Sequence, residues 1–506
     1  MKQRQNISAG VSPIRDIRAE IKLKAVPTGQ TEVTGLSSLN AQKTIGREDI
    51  LNSRGEFAGY FCEPGRVVLF RDRLGARSLF YILRGDMVLI SSDLGWIAGK
   101  AKAQANWNYI RSDYLQFQIP FSDETFFEGV KRVMPGEFVC IEGTEVRRKV
   151  YWKPRFGNVP FEPEVLAGLI REAVAFRLGL IGDRPFTSYL SGGIDSSTAS
   201  LLAKPSVCFS GFYEEEGYSE TDYIETVVQK GAFPGRYVPV HITKESFQRE
   251  LARLPEILPE PCAGLGVIPQ VLVAQEAARQ GFRFAFTGEG GDEIFLGYNW
   301  NTVIFSLAQA VKGLLRDRYM IRYEPMVEKI LRDAFPTFTG GLLARGDDIL
   351  YATKKILALW EPEEPVENNI LKINLQVGLP AILMVDEQVG RSAGVEPVSP
   401  LMDHKIVEYV CSIRPQDRAP IPKFMLREAM KGVLPEKVRM RYDKMGFPVP
   451  YQQWEWDTIQ PNLRSLANRK KIEVDPAKHT TMDRQTWALV SLELWYQHYF
   501  ERKGKE

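Results

Sequence analysis

Two short stretches of this 506-residue chain carry side chains spaced for chemistry: "SYLSGGIDSSTAS", residues 188 to 200, and "AFTGEGGDEIFLGY", residues 285 to 298. In the first, an apolar run from Phe186 to Leu190 stops at Ser191. Two glycines, an acid and two hydroxyl residues follow before a helix-forming segment. A strand-to-helix turn offers unpaired N–H groups at a helix N-terminus, a site suited to anions. Gly192 and Gly193 let the backbone approach an anion closely, and Ser191, Ser196 and Ser197 add hydroxyl donors. The loop reads as a phosphate cradle. A capped glycine turn would explain SGG alone, but Asp195 facing a polyphosphate calls for an accompanying cation, for which magnesium is suited.

The second stretch repeats the plan, an apolar strand followed by glycines and acids. It supplies Asp292, positioned to share a magnesium ion with Asp195, and Glu289, positioned to face a reacting carboxyl or amine. Taken alone, it also reads as a glycine turn with acids in the first turn of a helix, where they complement the dipole.

Both stretches need a parallel sheet to hold them. From about residue 153 the chain alternates strands ("FTSYL", "VCFSGF", "YVPVHI", "FRFAFTG") with helices such as Thr221 to Gln229 and Pro269 to Ala278, the pattern of an α/β fold with crossover helices. Beyond about Trp300 the pattern is mainly helical. Between Gly55 and about Arg148, short β runs separated by glycine or charged turns predict an antiparallel region, and "YWKPRFGNVPFEPE" reads as a linker. Residues 1 to about 50 show little periodicity and are expected to be a partly ordered lead-in. Two domains are expected, residues 1–152 and 153–506.

Composition excludes several classes. With 65 basic against 63 acidic residues there is no charge excess to draw nucleic acid or an anionic membrane surface. No apolar run reaches the ~18 residues of a spanning helix, and the basic N-terminus lacks the apolar stretch of a secretory signal. The cytoplasm is the expected compartment. Five cysteines without a CxxC pair (Cys62, Cys140, Cys208, Cys262, Cys411) and four unclustered histidines predict neither disulfides nor zinc.

Several ordered motifs together resemble the glutamine-dependent asparagine synthetase family, with its β-lactam synthetase, carbapenam synthetase and lasso-peptide cyclase relatives. These are both glycine loops, "FRDRLGARSLFY", "FFEGVKRVMPGEF", "VEPVSPLMDHKIVEY" and "KFMLREAMKGVLPEKVRMRYDKMGFPVP". The resemblance implies a Rossmann-like ATP pyrophosphatase synthetase domain preceded by a truncated Ntn-type glutaminase-like β-rich domain. It implies ATP and Mg2+, a carboxylate activated as an acyl-adenylate with release of pyrophosphate, and attack by ammonia or an amine. Carried over by motif, Leu190, Ser191, Gly192, Gly193, Asp195, Ser196, Ser210, Thr287 and Gly288 would bind the nucleotide. Asp195 and Asp292 would hold the metal, and Glu289 and Lys444 would be the catalytic residues, Lys444 stabilising phosphate charge. The lactam-forming relatives carry tyrosine where this chain has Glu289, which favours ammonia-type amidation over ring closure.

The chain also departs from the family. A glutaminase of this type needs cysteine after the initiator methionine, and position 2 is Lys2. The Asn-Gly-Glu segment that binds glutamine is absent from residues 1 to 54, and the lead-in looks too short for its strands. A degenerate glutaminase or a misplaced start would each account for this. An acid is replaced in the Ala263 to Leu265 region beside Glu260 and Pro261, and Pro397 and Ser399 stand in a string where the family commonly has an arginine, so the acceptor need not be aspartate. The expectation is an ATP-dependent amide synthetase. The alternatives are a specialised relative that amidates a uronic acid or closes a peptide or lactam ring, and a catalytically idle scaffold. Expected partners are a small-molecule or peptide carboxylate, ammonia or an amine donor, a separate glutaminase and a second copy in a homodimer, with no nucleic acid and no membrane span.

Overall fold

A computed structural model describes residues 16–41, 45–120, 122–231, 236–261, 264–298, 355, 358–442, 449–454 and 456–501. The N-terminal part is built from two antiparallel sheets. One has the order β1 (Arg18–Lys22), β6 (Met87–Ser91), β5 (Phe80–Arg84), β7 (Lys131–Arg132). The other runs β2 (Thr31–Thr34), β3 (Ala58–Glu63), β4 (Arg66–Arg71), β8 (Glu137–Glu142), β9 (Glu145–Val150). Ala58, Tyr60, Val67 and Leu69 of one sheet pack on Tyr81, Val88 and Ile90 of the other, as alternating inward side chains of stacked sheets do.

The lead-in expectation is corrected here. Residues 18–22 pair in register with β6 and residues 31–34 with β3, because Ala19 and Ile21 alternate into the core. So short an alternation carries too little periodicity to stand out in sequence. As far as Glu162 the predicted linker has no helix or strand, yet it is anchored: Tyr151 donates to Arg71 O at 2.7 Å and packs against Phe138.

The second part has a five-stranded parallel sheet in the order β12 (Arg236–His241), β11 (Val207–Phe212), β10 (Phe186–Tyr189), β13 (Phe284–Phe286), β14 (Glu396–Val398). Helices α1 (Pro163–Ile181) and α2 (Ile194–Ala203) lie on one face. Helices α3 (Val267–Arg279) and α5 (Leu379–Ala393) cover the other, and the one-turn α4 (Gly291–Ile294) follows β13. The predicted alternation and the helical segments at 221–229 and 269–278 are present.

Charged side chains join the two parts in a buried network. Arg77, in the turn before β5, donates to Glu56 at 2.8 Å, to Pro397 O at 3.3 Å and to Glu396 of β14. Ser78 N donates to Glu387 of α5 at 2.9 Å. Arg177 of α1 reaches Asp403 at 3.1 Å and Glu56 at 3.4 Å, and Arg132 pairs with Glu260 at 2.8 Å. Glu260 also accepts from Phe126 N at 2.8 Å, so this acid ties the two parts together. Burial pushes the Glu396 carboxyl up to about 7 although Arg77 draws it down.

Removing one member of a buried ion cluster strands the others. Arg77→Ala is expected to lower stability by about 3–5 kcal/mol, measured by urea denaturation. A loss under about 1 kcal/mol would show that the junction does not depend on Arg77.

Candidate functional site

Strands β10 and β13 are neighbours at the centre of the parallel sheet, so the loops leaving their carboxyl ends emerge side by side. The first loop turns at Gly192, whose φ of +65° suits glycine, and a Cβ there would lie 2.8 Å from Tyr223 Cβ. Ser196 Oγ lies 2.9 Å from Ser191 Oγ and accepts from Ser191 N at 3.2 Å, which closes the loop on the N-terminus of α2. Arg441 holds the loop from outside. It donates to Gly192 O at 3.4 Å, pairs with Glu220 at 2.5 Å and stacks 3.8 Å from the centre of the Tyr223 ring.

The second loop lies directly on the first. A Cβ on Gly288 would sit 2.4 Å from Ser196 N, and one on Gly291 2.4 Å from Asp195 Oδ1. Only glycine permits this approach at both positions. Thr287 N donates to Val398 O at 2.9 Å, and Ser399 Oγ donates to Glu289 O at 2.5 Å, fixing the carbonyl beside the expected catalytic acid. Ser399 thus secures the second glycine loop from the string that departs from the family.

The fit brings Asp195 and Asp292 to a common cation. Lys423 Nζ lies 2.5 Å from Asp195 Oδ2 and 2.7 Å from Asp292 Oδ1. Lys423 is buried, takes a left-handed backbone with φ +58°, and precedes α6 (Phe424–Ala429). Sequence reasoning missed it. It opens a quoted motif, but no local spacing separates one lysine from the other basic residues.

Leu190, Ser191, Asp195, Ser196, Ser210, Thr287, Gly288, Glu289 and Asp292 all line one cleft of about 820 Å3. Gly192 and Gly193 form the adjoining turn, Gly193 as the N-cap of α2. Lys444, the other expected catalytic residue, lies outside the described residues, as does Cys262. Asp386 of α5 also lines the cleft, and desolvation together with Glu289 holds its carboxyl well above the usual range. In sequence it looks like one acid on an amphipathic helix. Glu293, buried and accepting from Tyr298 Oη, is pushed up to about 8 by burial and by Asp292.

The donors present suit ATP. Thr287 Oγ1 is buried without a hydrogen-bond partner, and the glycine faces keep the cleft floor bare of side chains. Among the described residues no group of three or more acids, histidines or cysteines forms a metal cage. Magnesium arriving with phosphates does not need one, since it is commonly bound by one or two carboxylates plus phosphate oxygens.

The family described as asparagine synthase matches residues 165–503, and a glutamine amidotransferase domain matches residues 14–152. The chain is 25% identical to glutamine-hydrolysing asparagine synthetase 1 of Bacillus subtilis, covering 89% of this chain and 78% of that protein. It is 22% identical to amidase chyE of Penicillium rubens, covering 85% and 75%. It is 25% identical to a putative glutamine-hydrolysing asparagine synthetase of Mycobacterium tuberculosis, covering 96% and 83%.

Lys423→Met would leave Asp195 and Asp292 facing each other uncompensated. The variant is expected to be destabilised by roughly 2–3 kcal/mol in EDTA and to regain stability with millimolar Mg2+ more than the parent does. Equal responses to Mg2+ in thermal unfolding would show that the two acids do not hold a cation. A second expectation follows from Glu293, which keeps a proton in the folded chain that the unfolded chain releases above its ordinary value of 4.5. Its contribution to stability is therefore lost as pH rises from about 4.5 towards 8. Glu293→Gln should flatten stability against pH over that window, and an unchanged slope would contradict the assignment.

Proposed function

The chain belongs to the asparagine synthase family of C–N bond-forming ligases, and from that premise we propose that it activates a carboxylate with ATP and transfers the acyl group to ammonia or an amine. The carrying observation is the convergence of two glycine loops and their acids on one cleft at the carboxyl ends of β10 and β13. Ligands of open parallel sheets bind at such a position. The proposed division of labour follows residues 1–152 and 153–506.

In this reading the loop from Ser191 to Ser196 holds the departing phosphates, and Leu190, Ser210, Thr287 and Gly288 hold the nucleoside. Asp195 and Asp292 would hold magnesium delivered with ATP, which would supply charge neutralisation on the phosphates. Lys423 adds a fixed cation from the chain itself, and Lys444 a second one during charge transfer. Glu289 and Asp386 face the acyl side. Their mutual repulsion in a desolvated wall favours a shared proton, leaving one carboxylate free to orient an incoming amine and accept its proton.

We also propose that the amine is not produced by the chain's own glutaminase chemistry. Cys62 lies within β3, where burial pushes its thiol up to about 11, and burial pushes Cys208 and Cys411 up to about 12. Thiols so held are poor nucleophiles at neutral pH.

The test is exchange of labelled pyrophosphate into ATP, driven by a carboxylate. Asp195→Ala and Asp292→Ala are each expected to reduce it by about 10³-fold or more, with circular dichroism unchanged. Parental exchange rates in either variant would refute the two-acid site. The purified chain should release no glutamate from glutamine, and robust release would refute the absence of a glutaminase.

A further inference from the structure

Among the described residues of the cleft wall, the buried atoms Gln118 Nε2, Tyr189 Oη, Tyr213 Oη, Gln270 Oε1 and Thr287 Oγ1 have no hydrogen-bond partner. Thr287 belongs to the nucleotide end. The other four come from β10, the segment after β11, α3 and the N-terminal part. Tyr189 leaves β10 towards the face covered by α3, packing with Val273 and Phe209, and Gln270 is carried by α3 itself. Tyr213 follows β11 and packs near Tyr218 and Trp454. Gln118 comes from the N-terminal part, with φ +53°, and its Oε1 accepts from Arg484 Nε at 3.1 Å, which leaves its amide N–H groups for the cleft.

Gln118 and Tyr213 are almost wholly buried, at 1% and 3% exposure. A buried polar group costs stability until a partner satisfies it. Burial raises the phenols of Tyr189 and Tyr213, so both remain neutral donors. The rest of this wall is apolar: Phe117, Leu265, Val267, Val385, Val389 and Val449. Of the acids that line the cleft, Asp195 and Asp292 pair with Lys423 and Glu220 pairs with Arg441.

We propose that Gln118, Tyr189, Tyr213 and Gln270 form the acceptor subsite, and that it selects a monocarboxylic acid with an aromatic or branched aliphatic body bearing uncharged amide or hydroxyl groups. The inference rests on the carboxylate-activating reading of the same cleft and narrows its substrate class. An acid of that kind satisfies the four stranded groups and covers the apolar wall. Aspartate does neither. A site built to hydrogen-bond a substrate discriminates strongly against analogues that lack the partner groups.

The experiment is pyrophosphate exchange with N-acetylphenylalanine, N-acetylleucine and aspartate as alternative acids, for the parent chain, Tyr213→Phe and Tyr189→Phe. Each variant removes a hydroxyl that has no partner in the free protein, so the unfolding midpoint should stay at the parental value. An N-acetylated acid is expected to support exchange with kcat/KM at least about 10-fold above aspartate. The variants should raise KM for that acid about 5- to 10-fold, with KM for ATP unchanged. Aspartate serving as well as or better than the N-acetylated acids, or variants with parental KM, would overturn the subsite while leaving the ligase reading intact. Exchange with no acid despite measurable ATP binding would overturn both.

Discussion

Two carboxylates from different loops are forced together at the floor of the cleft, and the ammonium of Lys423 between them makes that arrangement tenable. Like charges about 4 Å apart repel by roughly 4 kcal/mol at an effective dielectric of 20. The arrangement therefore needs a cation in every state of the protein. Much of the local structure follows from this requirement. Gly288 and Gly291 have no Cβ because Asp195 and Ser196 occupy the space, and Gly297 has none because Asp292 and Lys423 do. Lys423 takes a left-handed backbone to deliver its side chain from a segment 228 residues away from Asp195.

The β-rich N-terminal part takes part in the site as well. Its Arg77 and Ser78 hold β14 and α5, the elements that carry Ser399 and Asp386 towards the cleft. Its residues Phe117 to Pro120 form one wall. The glutamine amidotransferase-type domain thus contributes to the shape and charge of the cleft as well as forming its own sheets. Replacing such a buried ion cluster with apolar groups would be tolerated only if all of its members changed together.

Charge is also unevenly placed around the cleft: Lys423 and Arg441 stand at the first glycine loop, whereas Glu289 raises the proton affinity of both Glu293 and Asp386.

The sequence by itself determined the class of fold and singled out the two loops as candidates for chemistry. Glycines, hydroxyls and acids at fixed spacing after an apolar strand are a local signal, and strand–helix alternation over tens of residues is a regular one. It also revealed the departures at Lys2 and Ser399. The early strands Arg18–Lys22 and Thr31–Thr34 escaped notice because each is too short to show a period. Tertiary structure alone decided that Lys423 stands between Asp195 and Asp292, that Asp386 faces Glu289, that Glu260 serves as a clamp, and that Gln118 reaches the cleft. Each is a single side chain whose partner lies between 97 and 366 residues away, and such pairings are set by the packing of the whole sheet, which no local spacing records.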